Sequence, residues 1–422
     1  SSLLRHVSIL GTTGSGKTVM GKIILEECTL KGIPSIVLDV KGDLARLALP
    51  VQKDPKADSK RQSEWSKKAE VRIWTPKDES GLPISINPFK IPPQDLDEEK
   101  ESDAWERMAS GLAVILGYDV SKHPGLGVKR FLERVLIRLA IKNSVPSNFG
   151  QLGKAIREQD PEEYDDLIKP SSIKELERRA NSLDGSGQDM FTSGTPLSIP
   201  MLLEPRLDGR TPVNGIYLNT LVDEGEKMTF IQQFCRELYD WMLTNPSQSP
   251  QVMVFLDEAA EFIPAGASKP PSKPIIERHL KQARAFGVSW MLATQSPNDI
   301  DYKIQGQAAT LFLGQFTSRQ DKESVRQILN SMDADQDVLN EISTFKPGEF
   351  LKISSAQEGG DVKKLSLELG KTLKFLSLFM VVLLLVFGAS GEVDAKKKKK
   401  KIKLTDEENA MFDRWNVKPK KR

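Results

Sequence analysis

The sequence predicts an α/β fold, doubly wound around a mainly parallel sheet, and two observations lead to it. First, the apolar run His6–Leu10 leads through a glycine-rich loop into a helical pattern, and the apolar run Ile36–Asp39 follows. Such a strand–loop–helix–strand unit starts a parallel sheet that is covered by helices. Second, strands and helices keep alternating over about 350 residues, which is typical of one doubly wound domain.

The individual elements follow from the spacing of apolar residues. Helical spacing predicts a first helix that stops at Gly32 and a later helix whose apolar face ends at Met242. Further helices are expected in "PIIERHLKQARAFG" and "RQDKESVRQIL". Short apolar runs predict the remaining strands, in this order: "EVRIWTP" and "LPISINPF" near residues 70–89, "NGIYLNTL" (Asn214–Leu221), "QVMVFLD", "VSWMLATQ" and "TLFLGQF".

Residues 98–190 interrupt the sheet pattern with amphipathic helical segments such as "VKRFLERVLIRLAIKN". We therefore expect residues 1–360 to form one core domain with a helical insertion at about 98–190. Cys28 and Cys235 both lie in apolar helical patterns, so we expect them to be core residues of a protein in a reducing compartment.

The C-terminal part has a different composition. Residues 361–395 are predicted to form an apolar helix, in which Phe375–Ala389 is 15 residues long and uncharged; residues 396–422 are predicted to be a basic, disordered tail. A membrane span usually needs about 20 apolar residues. Two alternatives remain open: membrane association through Phe375–Ala389, or a helix buried against the core with a lysine-rich tail that contacts solvent or DNA phosphates.

The net charge of +2 is unevenly distributed. Residues 361–422 carry 16 Lys/Arg and 8 Asp/Glu, which leaves 44 Lys/Arg and 50 Asp/Glu in residues 1–360. The predicted core is thus mildly acidic, and any nucleic acid would have to be held by local basic patches.

The glycine-rich loop "GTTGSGKT" matches the phosphate-binding pattern G-x-x-x-x-G-K-[ST] in full, and it lies in the required place between a strand and a helix. Its glycines let successive N–H groups point at phosphate oxygens, and the following helix directs its positive end to the same place. Lys17 would contact the β- and γ-phosphates, and the Thr18 hydroxyl would ligate Mg²⁺. The predicted nucleotide-binding residues are Gly11, Thr12, Thr13, Gly14, Ser15, Gly16, Lys17 and Thr18.

Two adjacent acids, Asp257 and Glu258, follow the apolar run of "QVMVFLD". A nucleotide–Mg²⁺ site needs a carboxylate at the end of a neighbouring strand, and Asp257 is placed for that role. Hydrolysis also needs a group that orients or deprotonates the attacking water, and Glu258 suits it. The alternative for Glu258 is an ordinary exposed residue at a strand end. Another strand ends at Thr294 and Gln295, either of which could sense the γ-phosphate or position the water.

The order of these motifs resembles the HerA/FtsK superfamily of hexameric DNA-pumping ATPases, and most closely the HerA-type bipolar DNA helicases. The resemblance covers about residues 5–355 and includes "IVLDVKGD", "INPF", "VMVFLDEAAEFIP", "LKQARAFGVSWMLATQSPNDI" and "FTSRQDKESVRQIL". It implies a RecA-like, ring-forming motor that uses ATP and Mg²⁺ to move double-stranded DNA through a central pore. HerA-type proteins usually carry a small β-barrel domain before the ATPase core; none precedes the first predicted strand here, and trimming or true absence would look the same.

The resemblance also assigns roles to individual residues. Lys17 and Thr18 match the Walker A pair, Asp257 and Glu258 the Walker B pair, and Gln295 the sensor at the end of its strand. Ring ATPases of this type complete each site with an arginine from the neighbouring subunit, for which Arg284 and then Arg319 are the candidates; the alternative for either is a surface salt bridge.

Three functions are compatible with the sequence. The first is a HerA-like DNA helicase or translocase that is hexameric, cytoplasmic and able to work with a nuclease partner. The second is a membrane-tethered ATPase of the conjugation or secretion type, at the inner face of the membrane. The third is a nucleotide-binding structural or regulatory module without pump activity.

Overall fold

The computed structural model describes residues 6–42, 59–94, 96–184, 189–207, 209–266, 270–301, 304, 306–331, 338–354 and 362–366. The strands in these residues are β1 (His6–Leu10), β2 (Ser35–Asp39), β3 (Ala69–Pro76), β4 (Leu82–Ser85), β5 (Thr195–Pro196), β6 (Thr211–Tyr217), β7 (Val252–Leu256), β8 (Val288–Thr294), β9 (Ala308–Leu313), β10 (Glu349–Ser354) and β11 (Val362–Ser366).

The α-helices in the same ranges are α1 (Lys17–Leu30), α2 (Ser59–Lys68), α3 (Glu98–Ile115), α4 (Gly125–Ile141), α5 (Phe149–Arg157), α6 (Pro170–Leu183), α7 (Asp189–Thr192), α8 (Ile199–Leu203), α9 (Glu224–Thr244), α10 (Ser272–Gln282), α11 (Arg319–Ser331) and α12 (Val338–Ile342). Short 3-10 helices span Pro161–Tyr164, Leu218–Thr220, Ala259–Glu261 and Ala283–Phe286.

The strands form one sheet in the order β11-β10-β9-β1-β8-β7-β2-β6-β3-β4-β5. From β9 to β5 every neighbouring pair is parallel, whereas β10 pairs antiparallel with both β9 and β11. Parallel neighbours point their carboxyl ends to the same edge of the sheet. The loops after β1, β2, β7 and β8 therefore lie side by side.

Helices cover both faces of this sheet, which explains why β1, β2, β7 and β8 are buried along their whole length. On β2, Ile36 and Leu38 belong to the core formed with α9 and α10, whereas Val37 belongs to the core formed with α1. Gly21 allows α1 to approach the sheet closely, because a Cβ there would lie 2.7 Å from the Phe255 ring.

Helices α3 to α6 surround a second apolar core of their own, which includes Met108, Phe131, Leu152 and Leu176. Two of these helices begin at a side-chain cap: Asp97 accepts a hydrogen bond from the Lys100 N–H at 2.9 Å, and Asn148 accepts one from the Gln151 N–H at 2.8 Å. This core coincides with the stretch in which the sequence predicts an insertion, and α3 packs against α9 of the sheet region.

The predicted fold class is confirmed, with three local differences. The strand expected at Asn214–Leu221 ends at Tyr217, where a 3-10 turn begins. The helix expected through "ARAFG" ends at Gln282 and also continues as a 3-10 turn. Residues 362–366, which the sequence assigns to the start of an apolar helix, instead form β11.

The rest of the predicted apolar helix and the basic tail, including Phe375–Ala389, lie outside the described residues. Among the helices of the described ranges, none has the length and apolar character needed to cross a membrane.

Candidate nucleotide site

The phosphate loop joins β1 to α1 at the carboxyl edge of the sheet. Gly14 and Gly16 have φ values of 80° and 101°, a left-handed conformation that favours glycine. Gly11 is packed so closely that a Cβ would lie 2.7 Å from the Ser15 Oγ. No side chain of the described residues caps the N-terminus of α1, so its first N–H groups are available to an anion.

The Lys17 side chain is buried and folds back over the loop. Its Nζ donates hydrogen bonds to the carbonyl oxygens of Gly11, at 2.7 Å, and Thr12, at 3.2 Å. Burial lowers the pKa of Lys17, while the carboxylates of Glu258 and Asp257 act in the opposite direction. The Ser15 hydroxyl is buried and has no hydrogen-bond partner among the described residues, so it can serve a phosphate oxygen. Thr18 lies half-buried on the first turn of α1.

Glu258 follows β7 in a left-handed backbone conformation, with φ 50° and ψ 46°. This conformation is uncommon for a residue other than glycine, and such strain is typical of functional sites. The Glu258 carboxylate accepts a hydrogen bond from Lys41 and another, at 3.2 Å, from the Gln295 Nε2. The Gln295 Oε1 in turn accepts one from the Thr13 hydroxyl at 2.7 Å. The phosphate loop and the acids after β7 are therefore joined through Gln295.

Asp257 is buried beside Glu258, and its Oδ1 accepts a hydrogen bond from the Glu258 N–H at 3.0 Å. Burial, and then the neighbouring carboxylates of Asp39 and Glu258, raise the pKa of Asp257 to about 7. A buried carboxylate with like charges around it is stabilised by a bound cation.

The residues present fit Mg²⁺. Within the described ranges, no three His, Cys, Asp or Glu side chains could hold a metal ion by themselves. Mg²⁺ in nucleotide sites is usually held by one or two carboxylates together with phosphate oxygens and water, so a complete protein cage is not expected. The assignment of Thr18 and Asp257 as the groups that would hold it stays a prediction.

The raised pKa of Asp257 predicts a pH-dependent proton release. In the folded protein without nucleotide this carboxyl keeps its proton up to about pH 7, whereas the usual pKa of an aspartate is 3.8. The protonated Asp257 carboxyl therefore contributes fully to the free energy of unfolding below pH 3.8, and this contribution is lost as the pH rises towards 7. Bound Mg²⁺ would favour the ionised form, so MgATP preformed in excess Mg²⁺ should release a fraction of a proton on binding slightly below pH 7.

Calorimetry in two buffers of different ionisation enthalpy measures this release. It should disappear well above pH 7, where Asp257 is already ionised, and it should be absent from Asp257→Asn at both pH values. Release of equal size at both pH values would show that another group titrates.

Two site residues carry no role in the sequence-based prediction. Asp39 ends β2 and accepts a hydrogen bond from the Gly42 N–H at 2.8 Å, and Lys41 pairs with Glu258. In their motif, "IVLDVKGD", polar residues follow an apolar strand. The same pattern is the one that predicts Asp257 and Glu258 as site residues. Of the two sensor candidates, Gln295 contacts Glu258, whereas Thr294 is buried and its hydroxyl has no hydrogen-bond partner in the part of the chain that the structure describes.

The two arginine candidates lie at opposite edges of the sheet. Arg284 is exposed in the 3-10 turn that precedes β8, so it lies at the amino-terminal edge, away from the phosphate loop. Arg319 begins α11, which follows β9, and lies at the same edge as the phosphate loop. Two residues later, Asp321 accepts hydrogen bonds from Ser296 at 2.5 Å and Asn298 at 3.1 Å, which ties this helix to the loop after Gln295. A role in a neighbouring subunit stays a prediction for both arginines.

Two family models match the chain. The model described as helicase HerA, central domain, matches residues 1–238, more than half of the chain. The chain belongs to the HerA helicase family. The model described as helicase HerA-like C-terminal matches residues 154–361. The prediction of a HerA-type P-loop ATPase is thereby confirmed for this chain, whereas the use of Mg²⁺ stays a prediction.

Solved structures share the fold of this HerA-family chain at low sequence identity. VirB4 of Thermoanaerobacter pseudethanolicus matches with a TM-score of 0.58 and 13% identity, over 86% of this chain and 89% of that one. The unbound form of the bacterial conjugative coupling protein TrwBΔN70 matches with a TM-score of 0.57 and 13% identity, over 87% of this chain and 85% of that one. TrwB in complex with ADP and Mg²⁺ matches with a TM-score of 0.55 and 15% identity, over 87% of this chain and 86% of that one. A comparison with curated protein sequences gave no match.

Proposed function

We propose that this HerA-family ATPase is a ring-forming motor, hexameric by family resemblance, that couples ATP hydrolysis to translocation or unwinding of double-stranded DNA. The observation that carries the proposal is the connection Thr13–Gln295–Glu258, because it links the loop that would hold the γ-phosphate to the residue that would act on water. A motor needs such a link, since its catalytic group must respond to the presence of the γ-phosphate.

The residues of the site divide the chemistry among them. Lys17 would leave its carbonyl partners to contact the β- and γ-phosphates. Mg²⁺, held by Thr18 and Asp257, would neutralise charge on the phosphate oxygens. Glu258 would orient the attacking water and accept its proton. Gln295 would hold the Glu258 carboxylate at a fixed position relative to the phosphate loop. An arginine of the neighbouring subunit, Arg284 or Arg319, would stabilise the developing charge on the γ-phosphate.

Turnover that depends on DNA is the first prediction of this proposal. We expect duplex DNA to raise the ATPase rate several-fold, and the effect to weaken as salt rises, because phosphate contacts are screened and counterions compete. Phosphate release should be measured with and without duplex DNA, on the full chain, with its oligomeric state determined by light scattering. Turnover that is high but indifferent to DNA would contradict the DNA motor and leave the ATPase standing. A protein without turnover in any oligomeric state would instead fit a nucleotide-binding regulatory module.

The second candidate function is a membrane-tethered ATPase that transfers DNA or protein. Two observations favour it: the uncharged run Phe375–Ala389, followed by lysines, and the shared fold with VirB4 and with a conjugative coupling protein. It would place the protein at the inner face of the membrane, whereas the DNA-processing motor would be cytoplasmic and could act with a nuclease. Cell fractionation of the full chain and of a variant lacking Phe375–Ala389 separates the two, because only the tethered protein would move from the membrane to the supernatant.

A further inference from the structure

A cavity with a volume of about 520 Å³ lies apart from the nucleotide site, between α3, α9 and the start of α10. None of its lining residues belongs to the phosphate loop or to the turn that carries Asp257 and Glu258. Its size is in the range of pockets that bind small organic molecules. Six of the lining residues define the proposed site: Arg107, Gly111, Gln233, Arg236, Pro271 and Ile275.

Buried polar atoms without a hydrogen-bond partner among the described residues line this cavity. They are the Nε and Nη1 of Arg107, both amide atoms of Gln233, the Nε of Arg236, the Oε1 of Gln232 and the hydroxyl of Tyr118. Gln233 is 1% exposed and Arg236 3% exposed, so water on the outer surface does not satisfy them. Folded proteins rarely leave such groups unpaired, so several of them around one cavity can serve a polar or charged molecule that binds there.

The two guanidinium groups are fixed by contacts on their far sides. Arg236 donates from Nη1 to the Pro88 carbonyl at 3.1 Å and from Nη2 to the Lys90 carbonyl at 2.9 Å. Arg107 donates from Nη2 to the Asp240 carboxylate at 2.8 Å and lies 4.5 Å above the Tyr239 ring. The unpaired N–H groups therefore already point in a fixed direction, which lowers the entropy cost of binding.

Gly111 makes room for the third polar group. A Cβ at this position would lie 3.0 Å from the Gln233 Nε2, so a larger residue would displace the amide. Most of the unpaired groups around the cavity are N–H donors, and those of Arg107 and Arg236 belong to positively charged guanidinium groups. Such donors suit an anion.

The acids near the cavity do not occupy these donors. Glu106 accepts a hydrogen bond from Lys129 at 2.6 Å, Asp119 lies 3.2 Å from the Lys122 ammonium, and Glu237 is paired with Lys90. The Arg107 Nη1 lies 3.9 Å from the nearest Asp103 carboxylate oxygen, which is beyond hydrogen-bond distance. An anion that enters the cavity would therefore not have to displace a carboxylate from these donors.

The opposite wall of the cavity is apolar. It is built by the start of α10 and the residues before it, together with one side chain of α3: Pro270, Pro271, Pro274, Ile275 and Val114. An inorganic anion would leave this wall in contact with water, whereas an organic anion would cover it and gain the free energy of burying apolar surface.

We propose that this cavity binds a small organic carboxylate, with the carboxylate between Arg107, Gln233 and Arg236 and the apolar body against Pro271 and Ile275. The site is separate from the nucleotide site, and the proposal does not depend on the motor function. It gives this HerA-family ATPase a second ligand whose binding can be measured without any ATP turnover.

Three probes test the two halves of the site on the full chain: octanoate, acetate and 1-octanol. Acetate has the charge without the body, and 1-octanol has the body without the charge. By titration calorimetry, octanoate should bind at least about tenfold more tightly than either, because only octanoate uses both walls. Equal affinity for octanoate and 1-octanol would overturn the proposal, as would displacement of octanoate by ATP.

Substitutions locate the binding. Gln233→Leu removes the two unpaired amide atoms while keeping the side-chain volume, so it should weaken octanoate binding about tenfold or more without lowering the melting temperature. Gln327→Leu is the matched control on an exposed face of α11 and should leave the affinity unchanged. Should Gln233→Leu fail to fold, Ile275→Ala gives the same decision: it should weaken octanoate binding and leave acetate binding unchanged. Lys17→Ala should bind octanoate as the wild type does, and octanoate binding unaffected by both cavity substitutions would refute the assignment.

Discussion

Lys17→Ala is expected to abolish ATP turnover, with a loss of at least about 100-fold in kcat/KM. The ammonium group of Lys17 lies within the phosphate loop, where its Nζ contacts the Gly11 carbonyl at 2.7 Å. In alanine this charge is missing, so phosphate oxygens that enter the loop lose their nearest point charge. Phosphate release measures the turnover, and calorimetry with an ATP analogue that is not hydrolysed measures the binding.

Stability must be measured in the same variant, because the Lys17 side chain also ties the loop together. Alanine cannot make the two hydrogen bonds that Lys17 donates to the Gly11 and Thr12 carbonyls. Their loss should lower the free energy of unfolding by about 1 kcal/mol, so the protein should remain folded. Lys142→Ala, at an exposed position after α4, is the matched control and should keep full activity. A folded Lys17→Ala protein with wild-type turnover would remove the phosphate loop from the reaction and with it the assignment of this site.

The parts of the site that the sequence predicts are those defined by short patterns. The phosphate loop is a contiguous pattern, and Asp257, Glu258 and Gln295 each lie at or directly after the end of an apolar strand. The parallel sheet then brings these strand ends together, because β8 lies between β1 and β7. This order explains why Gln295, which follows β8, can touch both Thr13 and Glu258.

Pairings between distant residues could not be predicted in this way. Lys41 and Glu258 are separated by 217 positions, and no local pattern encodes their contact. The left-handed conformation of Glu258 is equally invisible in the sequence, because glycine is the residue that usually adopts this φ. Both features depend on which loops the sheet order makes neighbours.

The antiparallel strands β10 and β11 escape prediction for a different reason. Both contain lysine, with Lys352 on β10 and Lys363 and Lys364 on β11, so neither forms a clear apolar run. β11 is the edge strand of the sheet and β10 is its neighbour. Charged side chains are common on edge strands, where they discourage pairing with other chains. Apolar periodicity finds buried central strands and is a weak guide to such edges.

Glu258→Gln is expected to separate ATP binding from hydrolysis. Glutamine keeps the shape of the side chain but cannot accept the proton of the attacking water, so the rate should fall by a factor of about 10² to 10⁴. The phosphate loop and Asp257 are unchanged, so the affinity for MgATP should remain within a few-fold of the wild type. Single-turnover phosphate release gives the first quantity, and calorimetry with MgATP on the slow variant gives the second.

The surroundings of Glu258 make this variant more informative than a simple deletion of charge. The neutral amide that Glu258→Gln introduces would form no ion pair with Lys41, whereas its carbonyl oxygen could still accept the hydrogen bond from Gln295, so the connection to Thr13 would be kept. Glu261→Gln, three residues further on at an exposed position of the same turn, provides the matched control and should hydrolyse ATP normally. If Glu258→Gln kept full activity while Asp257→Asn lost it, the proton acceptor would have to be another group at this edge of the sheet, and the acid cluster with Asp39 would be the place to look for it.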